Sequence, residues 1–262
     1  MKHTRCIWKG PIFLFFAPIA LLPFAMPLTA VAASSCSLIV YAGAGPRAKD
    51  VESIVDEFRT ALGGPDNGGV PGSHPTGFRE INWDAVPDEF AAPSFLPSAF
   101  FNARGAFLAT PGAGVQVSAD GDNPAHAAVR FGHINPTYSR IFKTFTKERL
   151  FSPIGSNIVD LTFFVPGTAL PAAVRGFGAV YTDVDQRESS FSYFDKEGQL
   201  LGQFTVPPSN KALSFLGVVF DQAVVARVRI EYGTTPLGPN DSGQNDVAVM
   251  DNFIYGEPQV LP

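Results

Sequence analysis

The last hundred residues constrain the fold most, because they consist of short apolar runs separated by turn-forming residues. In several of these runs hydrophobic and polar side chains alternate, and a period of two is typical of strands that bury one face. Strands are predicted at 158–165, 173–182, 189–194, 199–206, 213–220, 224–232 and 246–255. Seven short strands at this spacing predict a mostly β chain with two antiparallel sheets packed face to face.

The composition of the whole chain agrees with this strand pattern. The chain contains 24 Phe, 25 Gly and 23 Pro among its 262 residues. Aromatic residues favour strands, and Gly and Pro favour the tight turns between them. We therefore expect many short strands joined by turns.

The first 33 residues have the form of a secretory signal peptide. Lys2, Arg5 and Lys9 precede an apolar run at 11–28, and small residues follow as far as Ala33. This order of basic, apolar and small segments predicts export and cleavage. A membrane anchor is the alternative, but four prolines interrupt the run, and a spanning helix needs about 20 mostly apolar residues. We expect a secreted protein, extracellular or periplasmic, with no membrane span after cleavage.

The predicted mature chain keeps a single cysteine, Cys36, so no intramolecular disulfide can form. Acylation of Cys36 is an alternative, although the residues before it lack the usual large aliphatic side chain. The leader holds three basic residues and no acidic ones, so its removal changes the formal charge from −5 to −8. This negative charge disfavours nucleic acids and anionic membranes as partners.

The region 34–157 is predicted as an N-terminal helix with loops and strands, packed on a sandwich core at 158–257 that a short tail, 258–262, follows. The helix is predicted at 50–62, because apolar residues recur there at helical spacing, and Gly63 is expected to end it. The Gly- and Pro-rich segment 63–72 is predicted as a loop.

Four segments of the C-terminal part carry a resemblance to a known family: 176–185, 194–202, 213–218 and 249–253. They resemble the jelly-roll domain of secreted bacterial proteins, many of which carry C-terminal PEP-type sorting signals. That domain is similar in outline to calcium-containing carbohydrate-binding modules. The resemblance implies a jelly-roll sandwich and no particular activity. The chain has no apolar anchor before Pro262, so we expect secretion without that kind of surface retention.

Three aspartates are predicted as ligands of a structural calcium ion. Asp183 and Asp185 lie at the end of one predicted strand, where alternation places both side chains on the same side. Asp251 interrupts an apolar run, and the resemblance implies that this final-strand acid is a ligand. Calcium takes six to eight oxygen ligands, which carboxylates at strand ends can supply. The alternative is that these acids are solvated or pair with Arg227 or Arg229.

Trp83 is the candidate carbohydrate-binding residue, as an aromatic platform for a sugar ring. Glu80, Asp84, Asp88 and Glu89 surround it in the sequence, and two carboxylates flanking a sugar can act as acid and base in glycoside cleavage. Trp83 is equally compatible with a place in the core. The sequence contains no Gly-x-Ser-x-Gly motif for a serine nucleophile.

These features predict a non-catalytic binding or structural module of the cell envelope or extracellular matrix. Its expected partner is an extracellular carbohydrate, and its expected cofactor is a structural calcium ion. The alternative is a secreted hydrolase or lyase that acts on polysaccharide, with Trp83 and the nearby acids in its active site.

Overall fold

The computed structural model describes residues 3–5 and 37–261, so residues 6–33 of the predicted leader and Cys36 lie outside the described residues. Most of the regular structure is β. The strands are β1 His3–Arg5, β2 Ser37–Gly45, β3 Phe78–Ile81, β4 Ala106–Ala109, β5 Gly114–Val117, β6 Phe151–Ile154, β7 Ile158–Phe163, β8 Ala172–Ala173, β9 Gly176–Val184, β10 Ser190–Phe194, β11 Leu200–Thr205, β12 Ser209–Phe220, β13 Arg227–Glu231, β14 Val249–Gly256 and β15 Gln259–Val260.

Two main antiparallel sheets form the fold across the described ranges. The larger sheet has the order β1-β2-β12-β9-β14-β6-β5, with β3 also pairing with β14, and the smaller has the order β11-β10-β13-β7-β4. Strands β15 and β8 form a separate pair. The predicted mostly β, two-sheet architecture is confirmed.

The seven strands predicted from the C-terminal pattern are all present, as β7 and β9 to β14. The turn between β10 and β11 lies between the strands predicted at 189–194 and 199–206. The Gly198 N–H donates to the Asp195 carbonyl over 3.1 Å, and Gly198 has a φ of 78°. Glycine adopts this left-handed conformation without the steric cost that a Cβ brings.

The N-terminal region contributes strands to both sheets and is not only packed on them. Strand β2 pairs with β12 along its length, from Leu38 opposite Phe220 to Gly45 opposite Leu213, and β4 forms an edge of the smaller sheet. The sandwich therefore extends beyond the predicted core at 158–257. The β2 run lacks a clear alternation of apolar and polar residues, which is why the pattern did not predict it as a strand.

Helix α1, Ala48–Leu62, covers the outer face of the larger sheet. Its buried residues include Val51, Val55 and Phe58, which recur at helical spacing. The Phe58 ring lies so close to β12 that a Cβ on Gly217 would be 2.7 Å from it. The helix ends at Gly63, as predicted, whose N–H bonds to carbonyls of the last turn. The other α-helix in the described ranges is the single turn α2, Tyr138–Ile141.

The main hydrophobic core lies between the two sheets, and two smaller clusters lie elsewhere. One of these lies under α1. The other packs the segment around Phe131, Tyr138 and Phe142 against Val247 and Val249. No helix in the described part of the chain is long and apolar enough to cross a membrane.

Candidate functional site

The candidate site is at the end of β9, where the pairing with β12 is irregular. The register shifts between Ser209 and Leu213, and Asp183 and Lys211 have left-handed φ values of 65° and 53°. The main-chain N–H of Lys211 donates to Asp183 Oδ1 over 2.6 Å. Left-handed backbone is costly for residues other than glycine and is often found at functional sites.

Three other aspartates lie close enough to this irregularity to interact electrostatically with Asp183. Asp185 follows on the same strand end, and Asp241 and Asp246 come from the connection that leads to β14. The charges of these three acids each raise the pKa of Asp183. The carboxylate of Asp246 accepts hydrogen bonds from the main-chain N–H groups of Asp185, over 3.2 Å, and Gln186, over 3.0 Å. We call Asp183, Asp185, Asp241 and Asp246 the acid cluster.

Burial raises the pKa of every member of the acid cluster. The pKa of Asp183 is raised to about 7, first by burial and then by its acidic neighbours, against the hydrogen bond from Lys211. The pKa of Asp246 is raised to about 6, also chiefly by burial. Those of Asp185 and Asp241 are raised for the same reason, although the nearby charge of Lys211 opposes the shift in both. Their ionised forms are therefore poorly compensated within the protein.

The oxygens of the acid cluster suit a hard cation. Asp183 Oδ2 and Asp185 Oδ1 are buried and have no hydrogen-bond partner among residues 3–5 and 37–261. Asp183 is only 2% exposed. A buried carboxylate oxygen without a partner is costly unless it is protonated or binds a cation. Calcium prefers carboxylate and carbonyl oxygens, so the donor set fits it.

The acids do not by themselves complete a metal site. Across residues 3–5 and 37–261, no three His, Cys, Asp or Glu side chains are grouped so that they could hold a metal ion. Calcium commonly takes main-chain carbonyls and water molecules besides carboxylates. A calcium ion here would thus use main-chain and solvent oxygens beside Asp183 and Asp185.

Asp251 is in different surroundings from the other two predicted ligands. Its Oδ2 accepts from the Phe145 N–H over 2.6 Å, and its Oδ1 accepts from the Thr146 hydroxyl over 3.1 Å. Burial raises its pKa to about 7, and the acidic neighbour that raises it further is Asp84. The structure thus places Asp183 and Asp185 near each other. Asp251 instead contacts the Phe145–Thr146 backbone and anchors it on β14.

Trp83 is fully buried, with an exposure of 0%, and so has no face for a sugar ring. Its indole stacks on Phe151 with ring centroids 4.3 Å apart, and its Nε1 donates to the Asp251 carbonyl over 2.9 Å. The prediction of Trp83 as a carbohydrate platform is wrong for this fold. The physical reason is that a tryptophan with a partner for its N–H is as readily a core anchor as a surface platform.

The acids close to Trp83 in sequence make contacts within the protein. Glu80 pairs with Arg59 through two hydrogen bonds of 3.0 and 2.8 Å. Asp84 Oδ1 accepts from the main-chain N–H of Arg149 over 2.9 Å, and Asp88 pairs with the Arg149 guanidinium. These acids hold neighbouring segments together.

The outer face of the smaller sheet carries Arg227 and Arg229, which alternate with core residues along β13. Asp160 binds Arg227 over 2.8 Å and Arg229 over 2.9 Å. The Arg227 guanidinium also lies 3.8 Å from the centroid of the Phe194 ring. Asp160 is thus the acid that pairs with both arginines, in place of the three predicted calcium ligands.

Sequence reasoning missed Asp241 and Asp246, which complete the acid cluster. They flank the polar run 242–245, between the strands β13 and β14. Two acids that bracket a polar loop are an available signal, but alternation cannot show which strand end such a loop folds onto.

Comparison with known proteins gives a distant structural likeness and no match by sequence. No protein-family model matches the chain, and no curated protein is significantly similar to it. The enzymatically active domain of tailspike protein 4 from bacteriophage CBA120 is similar to 66% of this chain, at 15% sequence identity and a TM-score of 0.28. The chain spans 22% of that tailspike chain. A likeness at this TM-score carries no argument about function.

Proposed function

We propose that the protein is a secreted, non-catalytic binding or structural module of the cell envelope or extracellular matrix, stabilised by calcium at the acid cluster. In this proposal it is a jelly-roll domain of the secreted bacterial type, with an extracellular carbohydrate as its partner.

The observation that carries the calcium part is a pair of buried oxygens, Asp183 Oδ2 and Asp185 Oδ1, that have no hydrogen-bond partner in the described part of the chain. The acid cluster holds four carboxylates, and Lys211 is the cation whose charge lowers the pKa of two of them. A divalent cation would neutralise the negative charge of the acid cluster that Lys211 leaves uncompensated. Extracellular modules bind calcium with dissociation constants of about 10⁻⁴ to 10⁻³ M, which a partly exposed site of this kind can reach.

The engagement of Glu80, Asp84 and Asp88 supports a non-catalytic module over the hydrolase alternative. A general acid or base must reach the substrate. Each of these acids instead contacts an arginine or a main-chain N–H, and the tryptophan at their centre is buried. A catalytic site at this place would require several of these contacts to break.

Thermal unfolding of the mature chain tests the calcium part. The melting temperature is expected to rise when calcium is added and to fall when EGTA removes it, because a ligand that binds only the folded state stabilises it by about 2.7 kcal/mol at one hundred times its dissociation constant. Magnesium serves as the control, since it demands a smaller octahedral site. The same melting temperature in calcium and in EGTA removes calcium from the proposal.

Incubation with polysaccharides tests the non-catalytic part. Soluble neutral and acidic polysaccharides are incubated with the mature chain, and the products are separated by size. Unchanged chain length, together with retention of the protein on the polysaccharide, is the expected result. Release of shorter oligosaccharides would favour the secreted hydrolase or lyase instead.

A further inference from the structure

A groove with polar walls lies at the end of the smaller sheet, where β11, β10 and β13 run side by side. Its volume is about 530 Å³. The residues that line it are all polar or glycine: Asn157, Arg187, Glu188, Ser190, Gln203, Thr205, Glu231, Gly233 and Thr234. We call this feature the polar groove.

Strand register explains why these side chains meet. Ser190 on β10 lies opposite Thr205 on β11 and opposite Glu231 on β13. The next residue, Phe191, is buried in the main core, so alternation directs Ser190 and Glu231 to the outer face. The floor of the groove is thus built by three adjacent strands and not by a single mobile loop.

Hydrogen bonds join the floor residues into a chain. Gln203 Nε2 donates to Ser190 Oγ over 3.4 Å, and Ser190 Oγ donates to Glu231 Oε2 over 2.6 Å. Ser190 is 2% exposed, whereas Gln203 and Thr205 are exposed. The buried serine orients the Glu231 carboxylate, and the exposed side chains are accessible to a ligand.

The acid cluster holds one wall of the polar groove. Thr234 and Asp246 exchange two hydrogen bonds, Thr234 N to the Asp246 carbonyl over 3.0 Å and Asp246 N to Thr234 Oγ1 over 2.9 Å. The Asp246 carboxylate accepts from Gln186 N, and Gln186 immediately precedes Arg187 in the wall. The wall is therefore tied to the acid cluster through Asp246.

The donors and acceptors of the groove indicate the class of ligand. Glu188 and Glu231 supply carboxylate acceptors, Arg187 supplies donors, and Gln203 and Thr205 supply both. A hydroxyl group both donates and accepts, so it can use this mixture fully. An anion would meet two carboxylates, a cation would meet Arg187, and an apolar ligand would leave the polar groups of the groove without hydrogen-bond partners. Hydrogen bonds from hydroxyls to carboxylates are also among the stronger ones.

We propose that the polar groove is the ligand site of this module and that it binds a neutral, hydroxyl-rich ligand of the saccharide class. This inference rests on the proposed binding function and gives it a place, with Gln203 and Glu231 contacting the ligand and Ser190 orienting Glu231. The site lies on the opposite sheet from the buried Trp83, which lies next to β14.

The test is an array of neutral and acidic oligosaccharides probed with the mature chain in calcium, followed by titration calorimetry with the neutral oligosaccharide that binds best. The variants are Gln203→Ala and Glu231→Gln, each of which removes one contact of the groove. Thr205→Trp is a third variant that fills the groove from an exposed position without touching the core. Gln199→Ala is the matched control, because Gln199 is an exposed residue just before β11 and does not line the groove.

The expected result is binding of a neutral oligosaccharide that weakens at least about tenfold in Gln203→Ala and Glu231→Gln. Thr205→Trp is expected to abolish binding, and Gln199→Ala to leave it unchanged. If a neutral oligosaccharide binds all three groove variants as tightly as the parent chain, the polar groove is not the ligand site, although the proposed binding function stands. If the chain retains only acidic oligosaccharides, or none, the proposed ligand class is wrong. The effect of calcium on the melting temperature is measured separately and does not depend on either result.

Discussion

Arg79 and Glu257 form a buried ion pair through two parallel hydrogen bonds, Nε to Oε2 over 2.9 Å and Nη2 to Oε1 over 2.8 Å. The Arg79 guanidinium also donates to the carbonyls of Gly68, Val70 and Gly72. The glycine-rich loop at 63–72 is therefore held by its main-chain carbonyls to the end of β14. One buried arginine therefore contributes several of the hydrogen bonds that fix a segment without helix or strand preference.

The substitution Glu257→Gln is expected to destabilise the fold by about 3 to 5 kcal/mol, because it leaves the Arg79 charge buried without its partner. Urea unfolding of the variant and the parent chain measures the difference. Asp56→Asn is the control, since Asp56 pairs with Arg59 in an exposed position where an ion pair contributes about 0 to 1 kcal/mol. Equal losses in the two variants would contradict the assignment of Arg79 and Glu257 as a structural anchor.

Trp83 offers an optical test of its own burial, because it is the one tryptophan left after residues 1–33 are removed. Its fluorescence is expected to resist iodide quenching in the folded chain, and to become quenchable and shift to longer wavelength in urea. Trp83→Ala is expected to cost about 3 to 5 kcal/mol of stability, as for other buried aromatic residues. If iodide quenches Trp83 fluorescence in the folded chain and a saccharide prevents this quenching, the result would instead support the platform interpretation.

Calcium is expected to slow amide hydrogen exchange in the wall of the polar groove. The N–H groups of Asp185 and Gln186 donate to the Asp246 carboxylate, so a cation that fixes the acid cluster also restricts these amides. Exchange measured by mass spectrometry in calcium and in EGTA should differ in peptides that cover 185–188. Peptides from the hairpin at 195–198, away from the acid cluster, are the internal reference. Equal protection of 185–188 in calcium and in EGTA would show that calcium does not restrict the wall of the polar groove.

Without calcium, stability is expected to fall as the pH rises from about 4 to about 8. Burial raises the pKa of Asp183 to about 7 and that of Asp246 to about 6, whereas the unfolded chain has ordinary values of about 3.9. The protonated carboxyls contribute stability that is fully present below the unfolded pKa and is lost as the pH rises through the folded values.

Saturating calcium is expected to reduce this fall, because it binds the ionised carboxylates in place of protons. Part of the fall should remain, since the pKa of Asp251 is also raised, to about 7, outside the acid cluster. Melting temperatures across this pH range, with calcium and with EGTA, check the expectation. Two superimposable pH profiles would contradict it.

The sequence predicted the strands well where each buries one face. The alternation in β10 and β13, with Phe191 and Ile230 in the core, is a local property of the chain. It was less informative for β2, whose residues do not alternate clearly. The place of β2 beside β12 depends on contacts distant in sequence, and such contacts leave no local periodicity.

The candidate site could be predicted only in part for a related reason. Asp183 and Asp185 are two residues apart on one strand end, so their proximity is local. Asp241 and Asp246 reach them through the fold, and Asp251 is given a different set of neighbours by the Phe145–Thr146 backbone. Trp83 was misinterpreted because a pattern cannot distinguish an aromatic residue that packs inward from one that faces solvent.

The most direct test of the calcium claim compares Asp183→Asn with the parent chain at about pH 8, where the Asp183 carboxyl is mostly ionised. The substitution removes a buried charge, and the Oδ2 atom of Asp183 has no hydrogen-bond partner among the residues that the structure describes. In EGTA the variant is expected to melt at the same temperature as the parent chain or higher, and in calcium it is expected to lose the rise that the parent shows. Asp122→Asn, an exposed acid outside the cluster, should behave as the parent chain in both conditions. A full calcium-induced rise in Asp183→Asn, or a large loss of stability in EGTA, would contradict the account.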